Sequence, residues 1–404
     1  MSFLIDSELS YTYDKLLTDI STSSSYFECL KTSNLYDYFR NFLTALLLDK
    51  PVILIDADIS DSEFHNLDLK GLNTPSFIHP PNITGINEMI LKIKTSESII
   101  SIFTSGTTGQ PKKVDHSIQS LTRNVRIGIR YENHIWSLAY SPTHMAGLQV
   151  FFQAFFNKNL IVNLFNQSRS FIYNAIEKNS ITHISATPTF YRLLLPVEKR
   201  LDSVVRVTFG GEKSTSNLHE SIKQLFPNSR INNIYASTEA GSLFSSEGEY
   251  FKITEDILQK IIVRNEELLI HKSLLGKSES FTFNEDYYET GDLIEWVDES
   301  ERVFRFKSRK NELINVGGYK VNPLEVENEI LQIPGVNQVV VFGKANSLLG
   351  NILCADIICD ISTKVSELII REKLSAKLQD FKIPRRIKFV ESISLTKTGK
   401  IKRI

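Results

Sequence analysis

The feature that most constrains the fold is a regular alternation of short apolar segments with stretches of helical length between residues 50 and 240. Each apolar segment is rich in β-branched residues, as expected for a strand buried on both faces of a sheet. Repeated strand–helix–strand units predict a layered α/β architecture with a largely parallel sheet. The predicted strands are Pro51–Ile55, Ile99–Phe103, Ile135–Tyr140, Leu160–Leu164, Ile181–Ala186, Val204–Phe209 and Ile231–Tyr235, and helices are predicted at Met145–Phe156 and Thr215–Phe226.

The pattern changes after residue 260 to shorter strands with charged turns, and a polar run at 308–315 predicts a domain boundary. Beyond it we expect a compact β-α-β-β-α-β unit, in which Asn322 caps a helix that Pro323 opens and Leu331 ends. The 404-residue chain is therefore predicted to form a large layered α/β N-terminal domain, residues 1–308, and a small α+β C-terminal domain, residues 309–404. The elements predicted in this region are the strands Glu267–His271, Asp292–Val297, Val303–Lys307, Val336–Phe342 and Ile352–Ile358 and the helix Lys364–Leu378.

Composition is that of a soluble globular protein, with 42% hydrophobic and 23% charged residues. The N-terminus mixes acids with apolar residues and lacks the basic start of a signal peptide, and no apolar run is long enough to span a membrane. Three scattered cysteines, Cys29, Cys354 and Cys359, are too few for a disulfide framework or a metal knuckle. These features predict a cytoplasmic location.

The net charge of −1 is unevenly distributed, because residues 381–404 carry eight Lys or Arg and one acid, Glu391. Such a tail is either a solvated end or a surface for an anionic ligand or partner. Nucleic acid is disfavoured, since few aromatic residues interleave with the basic ones.

A loop rich in Ser, Thr and Gly, Thr104–Lys113 (TSGTTGQPKK), directly follows the predicted strand Ile99–Phe103. Small residues and hydroxyls leave many backbone N–H groups free to face one ligand, which is how proteins surround polyphosphate. The spacing of Gly106 and Gly109 excludes the Walker motif and a P-loop kinase. Taken alone, the loop is equally compatible with a flexible surface turn.

Four further segments place chemistry-bearing residues at predicted strand ends or turns. Each is ambiguous alone, because Gly-Gly is often a plain turn, a strand-end Tyr is often core, and Thr-Gly-Asp is a common turn. The segments are Phe209–Glu212 (FGGE), Tyr235–Glu239 (YASTE), Tyr288–Leu293 (YETGDL) and Arg309–Lys320 (RKNELINVGGYK).

The order and combination of these segments resemble the signature motifs of the ANL superfamily of adenylate-forming enzymes. This superfamily comprises acyl- and aryl-CoA synthetases, adenylation domains of peptide synthetases, and luciferases. The resemblance extends from about Ile99 to Arg403 and implies an acyl-CoA synthetase-like fold. It also implies a two-step reaction: a carboxylate attacks the α-phosphate of MgATP to give an acyl-adenylate and pyrophosphate, and a thiol then displaces AMP.

Residue roles follow from the resemblance, motif by motif. The positions that match the family's phosphate loop, and would hold the β- and γ-phosphates of ATP, are Thr104, Ser105, Gly106, Thr107, Thr108, Gly109 and Lys112. The positions that would enclose the adenine are the backbone of Gly210, Gly211 and Glu212 together with the ring of Tyr235.

The resemblance also implies contacts to the rest of the nucleotide. Thr238 would hydrogen-bond to the α-phosphate, and Glu239 would hold Mg²⁺, a hard cation that prefers carboxylate oxygen. Asp292 would accept hydrogen bonds from the ribose hydroxyls, which Arg309 would also contact.

Two further motifs concern the reacting groups and domain motion. In ISLTKTGKIKR, residues 393–403, Lys400 would contact the reacting carboxylate and the α-phosphate. The family's small domain rotates after the adenylate forms, and the matching hinge residue is Asn311. Rotation would remove Lys400 and bring Gly317-Gly318 to a thiol tunnel.

Several positions depart from the family pattern. Lys113 and Ala236 replace glycines, Asn311 replaces the usual Asp or Lys, and Ser394 stands where Pro is frequent. Because only 103 residues precede the loop, we expect the N-terminal part of the adenylation core to be shortened.

The substrate is narrowed by the segment around His144 and Gly147, which resembles the His-x-x-Gly segment of acyl- and aryl-CoA ligases and is expected to line the acid pocket. No acid lies between Trp136 and Phe156, which disfavours an amino-acid substrate and favours an uncharged acyl or aryl acid. The thiol is expected to be coenzyme A, with the phosphopantetheine of a carrier protein as the alternative. A non-catalytic adenylate-binding homologue is a further alternative, which the presence of all the catalytic residue types argues against.

Overall fold

The computed structural model describes residues 1–59, 64, 67, 69, 72, 74–104, 112–212, 214–316, 319–346, 350–360 and 365–394. The chain divides into two compact units. The first consists of Met1–Lys260 and Ile270–Tyr288, and the second of Ile261–Leu269 and Glu289–Ile404. The domain boundary predicted between residues 308 and 309 marks the start of a part of the chain that is expected to move. Division into compact units does not test such movement, so this boundary stays a prediction.

The α-helices of the described residues are capped mainly by Asn, Ser and Thr side chains, as the sequence pattern requires. They are α1 Tyr13–Ser21, α2 Leu35–Leu47, α3 Ile86–Lys94, α4 Ile118–Thr122, α5 Met145–Phe155, α6 Arg169–Lys178, α7 Pro188–Leu193, α8 Ser216–Leu225, α9 Pro323–Leu331 and α10 Glu367–Ser375. Short 3₁₀ segments occur at Ile129–Tyr131, Leu258–Lys260, Lys272–Leu274, Lys310–Glu312 and Asp380–Lys382.

Every predicted strand coincides with an observed β-strand, and the described residues form further strands that were not predicted. Those before residue 250 are β1 Ser2–Asp6, β2 Leu9–Thr12, β3 Ser25–Tyr26, β4 Cys29–Leu30, β5 Val52–Leu54, β6 Ser76–Phe77, β7 Ile100–Thr104, β8 Lys112–His116, β9 Ile135–Leu138, β10 Leu160–Asn163, β11 His183–Ala186, β12 Arg206–Gly210, β13 Arg230–Ser237 and β14 Gly241–Ser246. Those after it are β15 Phe251–Lys252, β16 Ile261–Arg264, β17 Glu267–His271, β18 Phe283–Asn284, β19 Tyr287–Asp298, β20 Val303–Arg309, β21 Ile314–Val316, β22 Tyr319–Val321, β23 Val336–Asn346, β24 Gly350–Cys359 and β25 Arg386–Phe389.

The first unit is organised around an eight-stranded sheet in the order β14-β13-β12-β11-β9-β10-β1-β2. All neighbouring pairs from β13 to β1 are parallel, and only the edge strands β14 and β2 run antiparallel. The prediction of a layered, largely parallel α/β fold is therefore confirmed. Because parallel strands end at a common edge, the loops after β9, β12 and β13 lie on one side of the sheet.

A second sheet of the first unit has the order β4-β5-β7-β8. Strands β4, β5 and β7 are parallel, whereas β8 runs antiparallel to β7 and pairs Lys112 with Thr104. Helices α2 and α5 contribute to an aromatic core, in which the rings of Phe39 and Phe151 stack with centroids 4.2 Å apart. This core uses residues before position 50, where the sequence analysis assigned no elements.

The second unit contains two sheets. Strands β20, β19, β17 and β16 are neighbours in that order, and a second sheet has the order β22-β21-β24-β23 with β25 parallel to β24. Helix α9 has the predicted bounds, and the side chain of Asn322 caps it by accepting from the Leu324 N–H at 3.1 Å. The predicted β-α-β-β-α-β order is confirmed from β22 to β25, and β21, which precedes it, pairs with β22 as a hairpin.

Within the part of the chain that the structure describes, no helix is both long enough and apolar enough to cross a membrane. All three cysteines are free thiols. Burial raises the pKa of the Cys29 thiol to about 11, with Glu28 adding to the rise, so this thiol stays protonated near neutral pH.

Stacked imidazoles lie near the start of β9 and β11, at the edge of the sheet opposite the loops named above. The ring of His183 stacks on His134 at 4.0 Å and packs against Trp136 at 4.6 Å. Burial, followed by the charges of His134 and Arg206, lowers the pKa of His183 to about 3. His183 is therefore neutral in the folded protein across the physiological range.

This arrangement predicts sensitivity to acid. The pKa of His183 is about 3 in the folded protein but about 6.5 in an unfolded chain, so its contribution to stability is complete above about pH 6.5 and is lost as the pH falls towards 3. We expect His183→Asn to flatten the fall in the free energy of unfolding below about pH 6.5, by up to ~1.4 kcal/mol per pH unit. Urea titrations at several pH values measure this, with exposed His79→Asn as the control. An unchanged slope would contradict the assignment.

Candidate active site

The predicted phosphate loop is anchored by paired strands at both ends. Residues 105–111, which include Ser105, Gly106, Thr107, Thr108 and Gly109, lie outside the described residues, so their predicted contacts remain predictions. The flanking residues Thr104 and Lys112 are paired across β7 and β8, which brings the two ends of the segment together.

Lys113, the residue that replaces a glycine of the family pattern at the end of this loop, has a partner in the described structure. The ammonium of Lys113 lies 3.4 Å from a carboxylate oxygen of Asp115, and both side chains are partly exposed. The same oxygen of Asp115 accepts a hydrogen bond from the Ser101 hydroxyl at 2.6 Å. Lys113 therefore forms an ion pair on the surface of the β7–β8 hairpin, where such a pair contributes little to stability.

The segment predicted to contact adenine follows β12. A Cβ atom on Gly210 would lie 2.9 Å from the hydroxyl of Tyr140, and Gly211 has a φ of +81°, so glycine is favoured at both positions. The carboxylate of Glu212 accepts from the Thr189 N–H at 3.1 Å and from the Thr189 hydroxyl at 2.7 Å, in the first turn of α7. Glu212 thus anchors helix α7, and the two residues before it are positions that favour glycine.

Tyr235 is brought next to this glycine segment by the pairing of β12 with β13. Gly210 is paired with Ile234, the residue before Tyr235, and the Tyr235 ring lies 5.7 Å from that of Phe244. The structure therefore brings together the two parts that the sequence analysis assigned to the adenine. Their role in binding adenine remains a prediction.

The turn Thr238–Ala240, which follows Tyr235 on β13, is held from several directions. Its first carbonyl, that of Thr238, accepts a hydrogen bond from Nε2 of His116 at 2.8 Å. The other ring nitrogen of His116 lies 3.0 Å from the hydroxyl of Ser120. The turn is thereby tied to β8, the strand that leaves the predicted phosphate loop.

The next two carbonyls of the same turn are also engaged. The backbone N–H of Gly276 donates to the carbonyl of Glu239 at 2.8 Å. The guanidinium of Arg123 donates to the carbonyl of Ala240 at 3.4 Å and to that of Leu274 at 2.9 Å. Three consecutive peptide groups are thus fixed by three separate elements, which restricts where the side chains of the turn can point.

Among the described residues, no group of three or more His, Cys, Asp or Glu side chains could hold a metal ion. Glu239, the carboxylate predicted to hold Mg²⁺, is half-buried in the turn. Mg²⁺ usually binds through one or two carboxylates together with substrate phosphates, and one such carboxylate is sufficient for that mode. The residues present therefore fit the predicted Mg²⁺ site.

His144 is held by a carboxylate that the sequence analysis missed. Asp56 lies just after β5, and one of its oxygens accepts from Nε2 of His144 at 3.1 Å. The other oxygen accepts from the hydroxyl of Ser141 at 3.0 Å and from that of Thr143. Burial opposes ionisation of Asp56, but the hydrogen bonds from His144, Thr143 and Ser141 outweigh it and lower its pKa to about 2. Asp56 is therefore an anion near neutral pH.

Gly147, the second residue predicted to line the acid pocket, lies in the first turn of α5. A Cβ atom at this position would fall 2.0 Å from the carbonyl oxygen of Ser141, which no rearrangement of a side chain could relieve. Glycine is required here because the helix packs against the backbone of the loop that carries Ser141 and His144.

In the second unit, the residues predicted to bind ribose are paired with each other. The guanidinium of Arg309 donates to both oxygens of buried Asp292, at 2.6 and 3.4 Å. Gly291, predicted as part of a turn, instead lies inside β19 with a φ of +73°, and its N–H donates to the buried carboxylate of Glu267 at 2.8 Å. Glu267 also forms an ion pair with Lys310 at 2.7 Å.

The remaining predicted residues are less fully described. Asn311 lies in the 3₁₀ segment Lys310–Glu312, next to the lysine that Glu267 holds, and its function as a hinge remains a prediction. Gly317, Gly318 and Lys400 lie outside the described residues.

The residues that the sequence analysis missed are His116, Arg123, Asp56 and Glu267. Each acts on a residue far away in the sequence, so no local motif identifies it. The one available signal was the type of residue, since buried charged and histidine side chains need partners.

Comparison with known proteins gives the relatives of this chain. A 2-succinylbenzoate–CoA ligase of Staphylococcus epidermidis is 24% identical over 99% of this chain and 93% of its own length. A peroxisomal trans-cinnamate:CoA ligase of Petunia hybrida is 25% identical over 90% of this chain and 71% of its own length. The fold matches that of o-succinylbenzoate CoA synthetase from Bacillus subtilis in complex with an acyl-adenylate intermediate, with a TM-score of 0.72, 19% identity, and coverage of 99% of this chain and 94% of that chain.

Two family matches cover most of the chain. Residues 50–261 match the AMP-binding enzyme family, and residues 325–400 match the C-terminal domain of AMP-binding enzymes. The first match alone spans more than half of the 404 residues. The chain therefore belongs to the AMP-binding enzyme family, within the ANL superfamily of adenylate-forming enzymes.

Proposed function

We propose that this protein is an AMP-forming acid–thiol ligase, which adenylates a carboxylic acid and transfers the acyl group to coenzyme A. The observation that carries the proposal is the fixed turn Thr238–Ala240, which follows Tyr235 and lies one strand from the segment that ends in the exposed Gly211. An aromatic ring, an exposed backbone, a hydroxyl and a carboxylate at one sheet edge suit a nucleotide with its metal-bound phosphates.

In the first step, a carboxylate oxygen of the acid attacks the α-phosphorus of ATP, and the bond to the β-phosphate oxygen breaks, releasing pyrophosphate. Negative charge increases around the α-phosphorus, so preorganised donors and cations accelerate the step. Thr238 would donate to the α-phosphate, and Lys400 would contact the α-phosphate and the attacking carboxylate. Glu239 would hold Mg²⁺, which supplies charge neutralisation when bound.

The phosphate loop and the ribose residues complete the proposed nucleotide contacts. The segment Thr104–Lys112 would hold the leaving β- and γ-phosphates. Asp292 would accept from the ribose hydroxyls, which Arg309, its partner in an ion pair, would also contact.

In the second step, the sulfur of a thiolate attacks the acyl carbonyl carbon of the adenylate. A carbon–sulfur bond forms, and the bond between the carbonyl carbon and the phosphate oxygen breaks, releasing AMP. We propose that the small domain rotates about Asn311 between the steps, which removes Lys400 and admits Gly317-Gly318. The basic segment 381–404 suits the phosphates of coenzyme A.

A carrier protein bearing phosphopantetheine is the alternative acceptor, because carrier proteins are acidic and the basic segment would suit them equally. An adenylate-binding protein without turnover is a weaker alternative. Loss of catalysis would be expected to remove some functional groups, yet Lys112, Thr238, Glu239 and Lys400 are all present.

The acid substrate is proposed to be an uncharged acyl or aryl carboxylic acid. His144 and Gly147 would line its pocket, next to the apolar helix α5. The anion of Asp56 lies beside His144 but is already satisfied by three hydrogen-bond donors, so it is poorly suited to pair with a substrate ammonium group.

Adenylation is tested by acid-dependent exchange of pyrophosphate into ATP over a panel of acyl and aryl acids. We expect exchange with at least one acid, and we expect Lys400→Ala to reduce its rate by about a hundredfold, because a cation at the reacting phosphate is lost. Lys402→Ala removes the same charge two residues away and is the matched control. Equal exchange rates for wild type and Lys400→Ala would contradict the role of Lys400.

The acceptor is tested by following thioester formation with coenzyme A and, separately, with holo carrier proteins. We expect thioester with free coenzyme A at a rate comparable to that of adenylate formation. Adenylate formation without any coenzyme A thioester, together with loading of a carrier protein, would replace the first proposal by its alternative.

The Asp56 contact predicts a selective effect on the acid. Asp56→Asn removes the charged acceptor from His144, so we expect the KM for the acid to rise by about tenfold, equivalent to ~1.4 kcal/mol, with the KM for ATP unchanged. Steady-state kinetics with each substrate varied in turn measure both constants. Asp19→Asn is the control for general destabilisation, because it removes a carboxylate on α1 that is bonded to Lys15 of the same helix and to Tyr36 of α2. A parallel rise of both constants would contradict the role of Asp56.

A further inference from the structure

His116 occupies a particular place on the strand that leaves the phosphate loop. Strand β8 begins at Lys112 and ends at His116, so these side chains share one face, because alternate residues of a strand point the same way. Their Cα atoms are separated by about 13 Å along the strand. Strand β8 thus carries Lys112, a predicted phosphate ligand, at one end. At its other end it carries His116, which bonds to the turn Thr238–Ala240.

The hydrogen bonds of His116 define its tautomer. The carbonyl of Thr238 can only accept, so Nε2 of His116 carries the proton and donates it over 2.8 Å. The neutral ring then leaves Nδ1 to accept from the hydroxyl of Ser120 at 3.0 Å. Burial lowers the pKa of His116 to about 4 despite the opposing bond to Thr238, so the ring remains neutral near pH 7. The His116 side chain is 2% exposed.

The surroundings hold the ring in this position. A Cβ atom on Gly276 would lie 2.6 Å from Cε1 and 2.8 Å from Nε2 of His116, so the glycine backbone closes directly over the ring. The N–H of the same glycine donates to the carbonyl of Glu239. The contact between His116 and Gly276 therefore determines the positions of two consecutive peptide groups, those of Thr238 and Glu239.

We propose that His116 is a positioning residue for the metal and phosphate contacts of the reaction, acting through the backbone of Thr238 and Glu239. The inference rests on the proposed function, since it assigns Glu239 to Mg²⁺ and Thr238 to the α-phosphate. Mg²⁺ demands near-ideal octahedral geometry, so a small displacement of its carboxylate ligand weakens binding. Residues that orient a metal ligand typically change metal affinity ten- to a hundredfold when they are lost.

A buried histidine with two hydrogen bonds could equally serve packing alone, and two amide substitutions separate these roles. His116→Gln places an amide N–H close to the position of Nε2 and keeps the donor to Thr238. His116→Asn places its amide near the position of Nδ1, so it keeps a partner for Ser120 and loses the donor to Thr238. If His116 only filled space, the larger Gln and smaller Asn would differ in stability but not in the requirement for Mg²⁺.

The experiment is calorimetric titration of ATP into each purified variant over a range of Mg²⁺ concentrations, without any acid substrate. We expect His116→Asn to raise the Mg²⁺ concentration needed for half-maximal ATP affinity by about tenfold or more, and His116→Gln to stay within about threefold of wild type. Gly276→Ala would place a methyl group 2.6 Å from Cε1 of His116 and 2.7 Å from Cγ1 of Val114, so it crowds the ring without removing it, and it should resemble His116→Asn. His183→Asn changes a buried histidine of the eight-stranded sheet, at the edge opposite to the turn Thr238–Ala240. It should leave the Mg²⁺ requirement unchanged.

Equal Mg²⁺ requirements for His116→Asn, His116→Gln and wild type would overturn the inference, as would an equal shift in His183→Asn. If His116→Asn fails to fold, Gly276→Ala against wild type decides the question by the same measurement. Pyrophosphate exchange by the wild type tests the proposed function separately, so Mg²⁺-dependent ATP binding without exchange would reject the ligase activity and leave the positioning role to be judged on binding.

Discussion

The hydrogen bond from His116 to the carbonyl of Thr238 joins residues 122 positions apart in the sequence and connects the four-stranded and eight-stranded sheets of the first unit. One sheet carries the predicted phosphate loop between β7 and β8, and the other carries Tyr235 and the turn that follows it. This bond helps to position the loop and the turn relative to each other. The bonds from Gly276 and Arg123 to the next two carbonyls restrict the turn further. The geometry on which the proposed catalysis depends is thus set by groups that do not themselves contact the substrates.

Carboxylates within each unit show a related principle, because each is held by charged, hydroxyl or backbone N–H donors. Asp292 pairs with Arg309, Glu267 holds Lys310 and the backbone of Gly291, and Asp56 accepts from three donors. Buried anions need such partners to remain ionised. The pairing also fixes their orientation, so that a ligand meets an arrangement already formed rather than one that must be assembled on binding.

Periodicity and local motifs predicted the elements of this fold well, because burial in a parallel sheet and helix capping are determined by neighbouring residues. Strand β17 and helix α9 have the predicted bounds, and the predicted sheet is present. The N-terminal strand β1, which inserts between β10 and β2, was not predicted, since it lies outside the alternating pattern of residues 50–240 and one of its two partners, β10, is about 157 residues away in the sequence. Gly291 was predicted in a turn, but its positive φ is accommodated within a strand.

Long-range contacts explain what the sequence could not reveal at the site. Inspection of the segment around His144 found no acid, yet Asp56 reaches it from 88 positions upstream. In the same way, His116 lies on the strand that follows one motif and contacts another motif in space. The residues with proposed direct roles were indicated by motif order, while the residues that position them depend on how the sheets pack.

The central claim, that His116 acts through the position of Glu239, is tested most directly by a double-mutant cycle of His116→Asn and Glu239→Gln, measured on the affinity for ATP at a fixed, subsaturating Mg²⁺ concentration. If His116 acts by orienting the carboxylate of Glu239, His116→Asn should have little further effect in a protein that already carries Glu239→Gln. The coupling free energy between the two substitutions should then exceed about 1 kcal/mol. Effects that add within about 0.3 kcal/mol would show that His116 and Glu239 act independently, and would contradict the account.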